Sequence, residues 1–531
     1  MTYDYDYIII GSGFGGSVAA LRLAEKGYRV AVLERGRRFR DGDYPETNWS
    51  LWNWLWQPEL GCTGIQEMTL LKNTLVLSGS GVGGGSLVYC AVLLEPPELF
   101  FRDPQWAGLD ADWRKTLRPH YQIARQMLGV TPNPKLWKSD ELLRDYAREI
   151  GREAHFKPTE VGIYFGDPDR ETPDPFFGGR GPARRGCDHA GRCMIGCNAG
   201  GKNSLDRNYL HLAESLGAEI HSLTLVTRIE ALPEGGYRLT SRSANRRLGG
   251  QRAWHARGVV VAAGALGTNR LLLQCKRQGD LPLLSDRLGS TARTNSEILL
   301  GVTADNPDDR YCDGIAITSS LFVDETTHVE PVRYPEGSNA MFILGTLLTD
   351  GGGRLPRPLR YLFNILRHPR QFLRTLDPRG WARRSVILLV MQTEDNRMAF
   401  RLKRRWLFPW RFRLGSEVDG RAIPSYLPAA NAAGRALARK MPGQAKNAIT
   451  EVLLNTPLTA HIMGGCVIGA DRDHGVIDKK CQAFGYENLY IVDGAALPAN
   501  LGVNPSLTIT ALAEYAMSHI PEKRGAEREP A

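Results

Sequence analysis

Residues 11–16 read GSGFGG, and the residues on either side leave the chain little choice of local fold. Tyr5 to Ile10 (YDYIII) is an apolar strand that runs straight into the glycines. Ser17 to Lys26 has helical character, and Tyr28 to Leu33 is a second apolar strand ending at Glu34. Strand, glycine turn, helix, strand and acid in so short a span predict a βαβ unit of a doubly wound α/β sheet. Gly11 permits the tight turn, Gly13 lets a pyrophosphate approach the backbone, and Gly16 lets helix pack on strand, with Phe14 and Gly15 completing the turn. The helix N-terminus offers unpaired N–H groups and the positive end of its dipole. Glu34 is placed to accept hydrogen bonds from an adenosine ribose. The unit predicts dinucleotide binding, but neither the dinucleotide nor the reaction.

At 531 residues the chain predicts two large lobes. No apolar run is long enough for a membrane span. The chain begins directly with a strand, without a basic n-region or an apolar h-region, which is the expectation for a cytoplasmic protein. Nine scattered cysteines are no disulfide framework. The net charge of +10 is local: residues 354–413 hold 16 Lys+Arg against 3 Asp+Glu, and the remainder holds 51 basic against 54 acidic residues. That segment is also rich in bulky apolar side chains, so nucleic acid is not the expected partner.

A second glycine cluster follows Leu75–Ser78: Gly79, Gly81, Gly83, Gly84, Gly85 and Ser86, with Leu87 to Leu94 reading as another strand. Asp112 to Leu128 and Leu205 to Leu216 are helical in pattern. Residues 217–270 return to the texture of a nucleotide domain, with strands at 218–226 and 258–263 and a helix from Ala265 to Cys275. Residues 300–455 are more irregular and contain the strand Ser385 to Gln392. The nucleotide domain is therefore expected in pieces, 1–98, 205–300 and 455–520. Residues 99–204 and 301–454 build a substrate lobe, and 521–531 form a disordered tail.

Near the C-terminus, Asn488 to Val492 reads as a buried strand. Asp493 and Gly494 follow at its carboxyl end, where open parallel sheets bind ligands. Asn504 precedes Pro505, a favoured first helical residue, so Asn504 is predicted at the N-cap of the helix Ser506 to Met517. That helix end either faces a ligand that gains negative charge or is merely capped. His461 stands before Gly464 and Gly465, which let a ring system approach the backbone. It is either structural or a general base for an alcohol hydroxyl.

Five segments then carry a resemblance: GSGFGG at 11–16, GSGVGGGSLVY at 79–89, VVVAAGALGTNRLL at 259–272, HIMGGCVIG at 461–469 and DGAALPANLGVNPSLTITALAE at 493–514. In this order they resemble the glucose–methanol–choline flavoprotein oxidoreductases, and within them the bacterial cholesterol-oxidase-like branch. The resemblance implies non-covalent FAD in a Rossmann-like domain assembled from discontinuous segments. It also implies an α+β substrate domain on a largely antiparallel sheet. It casts His461 and Asn504 as the pair facing the flavin, with Gly83, Gly84, Gly85 and Ser86 close to it. Asp493 would lie near the ribityl chain, and Val226 would offer its backbone to the adenine. The implied reaction is oxidation of an apolar, sterol-like alcohol, with oxygen or another electron acceptor completing the cycle. Isomerising members use a glutamate in the substrate lobe. Alignment on Pro335-Glu336-Gly337 places Asn339 at that position and leaves Glu330 out of register, which argues against isomerisation.

Two segments remain. Cys187, Cys193 and Cys197 are spaced C-x5-C-x3-C, which suits a three-iron cluster serving a dehydrogenase; ordinary reduced thiols on a glycine-rich loop are the alternative. No fourth ligand at finger spacing favours zinc, although His189 is adjacent. Pro358 to His368 sets Leu359, Leu362, Phe363 and Leu366 on one helical face with Arg360, Asn364 and Arg367 opposite, and 401–414 alternates arginine with aromatics. The pattern suits either an anionic membrane surface, at the inner face for a cytoplasmic protein, or a helix packed into the core. Two rival readings are an NAD(P)H-dependent reductase, which needs a second phosphate-binding glycine motif that the sequence lacks, and a non-catalytic, membrane-docked lipid-binding flavoprotein.

Overall fold

The computed structural model describes residues 2–107, 109, 112–245, 250–404, 410 and 412–524. Two seven-stranded sheets organise them. In the first, strands lie in the order Glu219–His221, Val30–Leu33, Tyr5–Ile10, Gln251–Val261, Tyr237–Ser243 and Thr224–Ala231, with Leu489–Ile491 also pairing Gln251–Val261. Ile8, Ile9, Val32, Val259 and Val260 are fully buried, the near-continuous apolar run that a parallel sheet covered on both faces requires. Ile10 pairs with both Leu33 and Val261, and Val261 pairs with Ile491. These four strands, parallel to one another, thus end level, and Gly11, Glu34, Ala262 and Val492 emerge along one edge. This is the Rossmann-like arrangement, and that edge is where such sheets bind ligands.

Distant chain segments are locked together beneath this edge. The helix Phe14–Glu25 packs on the helix Ser506–Ser518. The buried Glu514 carboxylate accepts from Arg22 (2.7 and 2.9 Å) and from the Tyr209 hydroxyl (2.6 Å). One acid therefore joins the N-terminal, middle and C-terminal pieces of the domain, and its charge is compensated by a bidentate guanidinium.

The second sheet is antiparallel throughout, in the order Gly345–Leu347, Gly443–Ala448, Ile298–Ala304, Ser385–Gln392, Thr327–Val332, Ser319–Phe322 and Phe156–Pro158. Strand alternation divides its faces. Ile298, Leu300, Val302, Val329, Val386, Leu388 and Val390 join Leu143, Ala430, Ala433 and Leu437 of two covering helices in one core. The opposite face carries Leu299, Glu330, Val332, Leu389 and Met391, and it looks toward the carboxyl edge of the first sheet. Asn500 ties the two lobes there, donating to the carbonyls of Gln392 (2.8 Å) and Glu394 (3.0 Å).

The expected strand at 87–94 does not form. Gly84–Leu87 is a turn of 3-10 helix, and Ala91 takes a left-handed conformation (φ 65°), so only Val92 makes a lone bridge to Val161. Of the basic segment at 401–414, residues 405–409 and 411 lie outside the described residues, as do 525–531 of the predicted tail.

Candidate active site

The two glycine clusters meet. Gly84 (φ +53°) sits where an added Cβ would be 2.6 Å from the Gly13 Cα, and Gly83 donates its N–H to the Ser12 hydroxyl at 3.1 Å. Gly15 and Gly16 are equally confined: a Cβ at either would fall 2.0 Å from the carbonyl oxygen of Val492 or Gly11. At Gly79 the obstacle is the Gly84 carbonyl oxygen. Gly13 differs. Its added Cβ meets nothing within 4 Å, its φ is an ordinary −71°, and it caps the following helix with no side-chain acceptor. The space at Gly13 and a helix N-terminus with no side-chain cap are what a pyrophosphate site requires. Phe14 packs edge-on against Tyr89, and the Ser86 hydroxyl bridges the Gly83 carbonyl and the Leu205 amide.

Glu34 is buried at the end of its strand. It accepts from the Ser12 amide (3.0 Å) and hydroxyl (2.7 Å) and from the Gly36 amide (2.7 Å), so it fixes the glycine turn as well as lying at the predicted ribose position. Thr224 donates to the Glu34 carbonyl, which starts the strand bearing Val226 beside that acid. Val226 is buried at the register shift between Val226 and Arg228. Asp493 accepts from Gly264 and Ala495, both at 2.8 Å, and from the Thr268 hydroxyl, and burial raises its carboxyl to about 6. Gly494 accepts from the Gly464 amide at 2.8 Å, which pins the His461 segment to this edge. An open pyrophosphate cradle, an acid at the end of the second strand and a buried aspartate at the far strand together fit FAD.

His461 is a mostly buried side chain, 11% exposed, in the company of two acids. Its Nδ1 makes a short contact with Glu297 Oε1, while Glu297 Oε2 accepts the Ala460 amide at 2.8 Å. Burial alone would push the imidazole toward neutrality. The charge and hydrogen bond of Glu297, aided by Glu330, outweigh that, so the ring titrates above its ordinary value. With Nδ1–H given to Glu297, Nε2 is left as an acceptor. Asn295 lies 3.2 Å from the same Nδ1, donates to the Val503 carbonyl (2.8 Å) and accepts from Gly502. It thus couples the histidine to the turn that carries Asn504.

Two sequence expectations are corrected here. Asn504 does not cap the last helix: Pro505 is the N-cap, and the Asn504 amide instead donates to Glu330 Oε2 at 3.3 Å. The oxygen that would do the capping, Asn504 Oδ1, is unpartnered, as is Glu330 Oε1. Asn339 is not in the site at all. It caps the 3-10 turn Ala340–Leu344 and accepts the Ala382 amide. The carboxylate facing His461 and Asn504 is Glu330, delivered by the inner face of the strand Thr327–Val332. Burial raises its carboxyl to about 7, against smaller downward pulls from Asn504 and His461.

The sequence offered no signal for Glu297 and Asn295. Residues 291–298 are buried without exception, yet they are mostly polar, and Thr291 and Ser296 take positive φ (57° and 50°). Hydrophobic periodicity is blind to such a segment.

The cysteine loop is built differently from a cluster site. Cys187, Cys193 and Cys197 line one small cavity, but among the described residues no group of three His, Cys, Asp or Glu side chains is arranged to hold a metal ion. Burial pushes the Cys187 and Cys193 thiols up. Cations hold the loop instead. The Lys202 amine donates to the carbonyls of Leu87 (3.0 Å) and Cys193 (2.6 Å), and Arg184 donates to those of Gly200 and Lys202.

Family models described as GMC oxidoreductase match residues 183–275 and 422–513, and a model of an NAD(P)-binding Rossmann-like domain matches residues 9–40. A cholesterol oxidase of Mycobacterium tuberculosis (strain ATCC 25618 / H37Rv) is 48% identical over 100% of this chain and 93% of its own length. One of Acinetobacter baumannii is 43% identical over 99% of this chain and 96% of its own. The crystal structure of pyridoxine 4-oxidase from Mesorbium loti shares the fold, with a TM-score of 0.64 at 14% identity over 97% of this chain and 98% of that one. The chain belongs to the GMC oxidoreductase family and is an FAD-dependent oxidoreductase acting on CH–OH groups.

Proposed function

We propose that this protein oxidises an apolar secondary alcohol, with 3-hydroxysterols the leading class, to the ketone. FAD, when bound, accepts the hydride that leaves the carbinol carbon. His461 Nε2 takes the hydroxyl proton as the C=O bond forms, and Glu297 holds the ring in the tautomer that can take it. Asn504 positions the substrate oxygen. The observation that carries this reading is the convergence of His461, Asn504, Glu297 and Glu330, drawn from distant parts of the chain, beside a glycine cradle that fits FAD. The sterol class is supported by two full-length relatives that are named cholesterol oxidases, and their names favour oxygen as the acceptor. The test is anaerobic addition of a panel of alcohols, sterols included, to the flavin-loaded protein. A sterol should bleach the flavin, and His461→Ala should slow bleaching by about 10²–10⁴-fold. If no alcohol bleaches it, the reading fails; if only non-steroidal alcohols do, the sterol assignment fails.

A second reaction has its own support. Glu330 is a buried carboxyl that titrates at about 7 and keeps one oxygen free. Such a group can take a proton from one steroid carbon and return it to another, moving a double bond into conjugation with the new ketone. Product from wild-type enzyme should show conjugated-enone absorbance. Glu330→Gln should release the unconjugated ketone at near wild-type oxidation rate.

A further inference from the structure

The helix Arg357–Arg367 wears its apolar stripe outward. Tyr361 is its buried anchor, bonded to the Thr346 hydroxyl at 2.7 Å and packed with Leu347 and Val452. Leu359, Leu362, Phe363 and Leu366 lie on the opposite face and are all exposed, Leu366 to 76%. The short helix Pro369–Thr375 continues the face with Leu373, and Leu376 follows. Both helices pack on the strand Gly345–Leu347, which the 3-10 turn Ala340–Leu344 enters directly, and Ile343 of that turn is 68% exposed. A surface helix normally turns its stripe to the core, so this one is unpartnered.

The rim of the patch identifies what covers it. Residues 354–384 hold 9 Arg or Lys and a single acid, Asp377. Arg354, Arg367, Arg370, Arg374 and Arg379 are exposed around the apolar face. Leucine and phenylalanine tips ringed by arginines match a bilayer whose hydrocarbon takes the former and whose anionic headgroups take the latter. No described helix is long and apolar enough to cross a membrane, so contact would be superficial. We propose that this face docks the protein on an anionic lipid bilayer. The docked helix would lie one packing layer from the active site: Arg357 donates to the Glu451 carbonyl, and the Glu451 carboxyl accepts the amide of Leu299, two residues beyond Glu297. The inference stands on the surface alone and does not depend on which alcohol is oxidised.

The test is co-sedimentation of the flavin-loaded protein with vesicles of phosphatidylcholine, with and without phosphatidylglycerol. Wild-type protein should pellet with the anionic vesicles and be released by high salt. The combined variant Leu362→Asp, Phe363→Asp, Leu366→Asp should bind at least about tenfold more weakly, with flavin content and melting temperature unchanged because all three side chains are exposed. Arg367→Glu with Arg370→Glu should lose the preference for anionic lipid. The proposal is overturned if wild-type protein stays in the supernatant, or if the triple variant sediments like wild type. It is also overturned if wild-type protein self-associates in solution and the triple variant does not, which would make the occupant a second copy. None of these readouts involves a substrate, so failure here leaves the alcohol reading intact.

Discussion

Exchanging Glu297 for glutamine isolates what the carboxylate does for His461. One Glu297 oxygen accepts the Ala460 amide at 2.8 Å and the other meets His461 Nδ1. The Ala460 N–H demands an acceptor, so the glutamine oxygen takes that side and its NH2 turns to Nδ1. Nδ1 must then accept, the ring proton moves to Nε2, and the nitrogen facing the substrate becomes a donor that cannot receive a proton. The loss should approach that of removing the base, about 10²–10⁴-fold in kcat, or roughly 3–5 kcal/mol of barrier. Stopped-flow bleaching at saturating alcohol, measured across pH, is the assay, with flavin content and melting temperature as controls. In wild-type protein the rate should rise with pH through a titration above the ordinary imidazole value. The ring must be neutral to act, and its pKa is raised in the folded state. In the glutamine variant the plateau falls, and that limb moves to lower pH because the charge that held the proton is gone. Glu297→Asp keeps the charge and should recover part of the rate. A glutamine variant within about threefold of wild-type kcat at full flavin occupancy would refute the tautomer argument.

Other consequences are equally direct. Gly13→Ala adds a methyl group to empty space at an ordinary φ, so melting of the apoprotein should not change. Intrusion into the pyrophosphate cradle, at about 1–3 kcal/mol, should weaken FAD binding about 5–150-fold, measured by flavin titration. Burial holds the Glu451 carboxyl at about 8, so the folded state binds its proton more tightly than the unfolded state. Its stabilising contribution is therefore full below the unfolded pKa and is lost as pH rises through about 8. Glu451→Gln should flatten that decline, with melting curves at pH 5 and pH 8 as the check. Replacing Cys187, Cys193 and Cys197 together by serine should leave the anaerobic bleaching rate unchanged, and iron analysis of the wild-type protein should find no stoichiometric iron.

What the sequence disclosed and what it hid divide along the distinction between local conformation and distant pairing. Gly16 was legible because a backbone that must pass within a Cβ's reach of another, here the Gly11 carbonyl, admits only glycine, and that requirement is written in residue type. Pro505 likewise announced the last helix. The last helix starts one residue later than expected, with Pro505 rather than Asn504 at the N-cap, and no local rule reveals that the Asn504 amide donates to Glu330, 174 residues away. His461 and Glu297 are 164 residues apart, and the acid sits in a buried polar run without periodicity. Glu330 was set aside because alignment on Pro335-Glu336-Gly337 puts Asn339 at the carboxylate position. All six residues of Thr327–Val332 are buried, so the alternation of His328 and Glu330 with Val329 and Pro331 does not separate a solvent face from a core face. The cysteine spacing fits a cluster but says nothing of the lysine and arginine donors that the fold gathers onto the loop's carbonyls. The Arg357–Arg367 helix shows the limit most sharply. Its 3.6-residue period predicts the helix and its two faces but not which face looks outward. That choice rests on Tyr361 finding Thr346 and Val452, contacts made only once the second sheet is complete. Patterns fix where each side chain stands along its own segment, whereas acid beside base and leucine beside solvent are properties of how the segments meet.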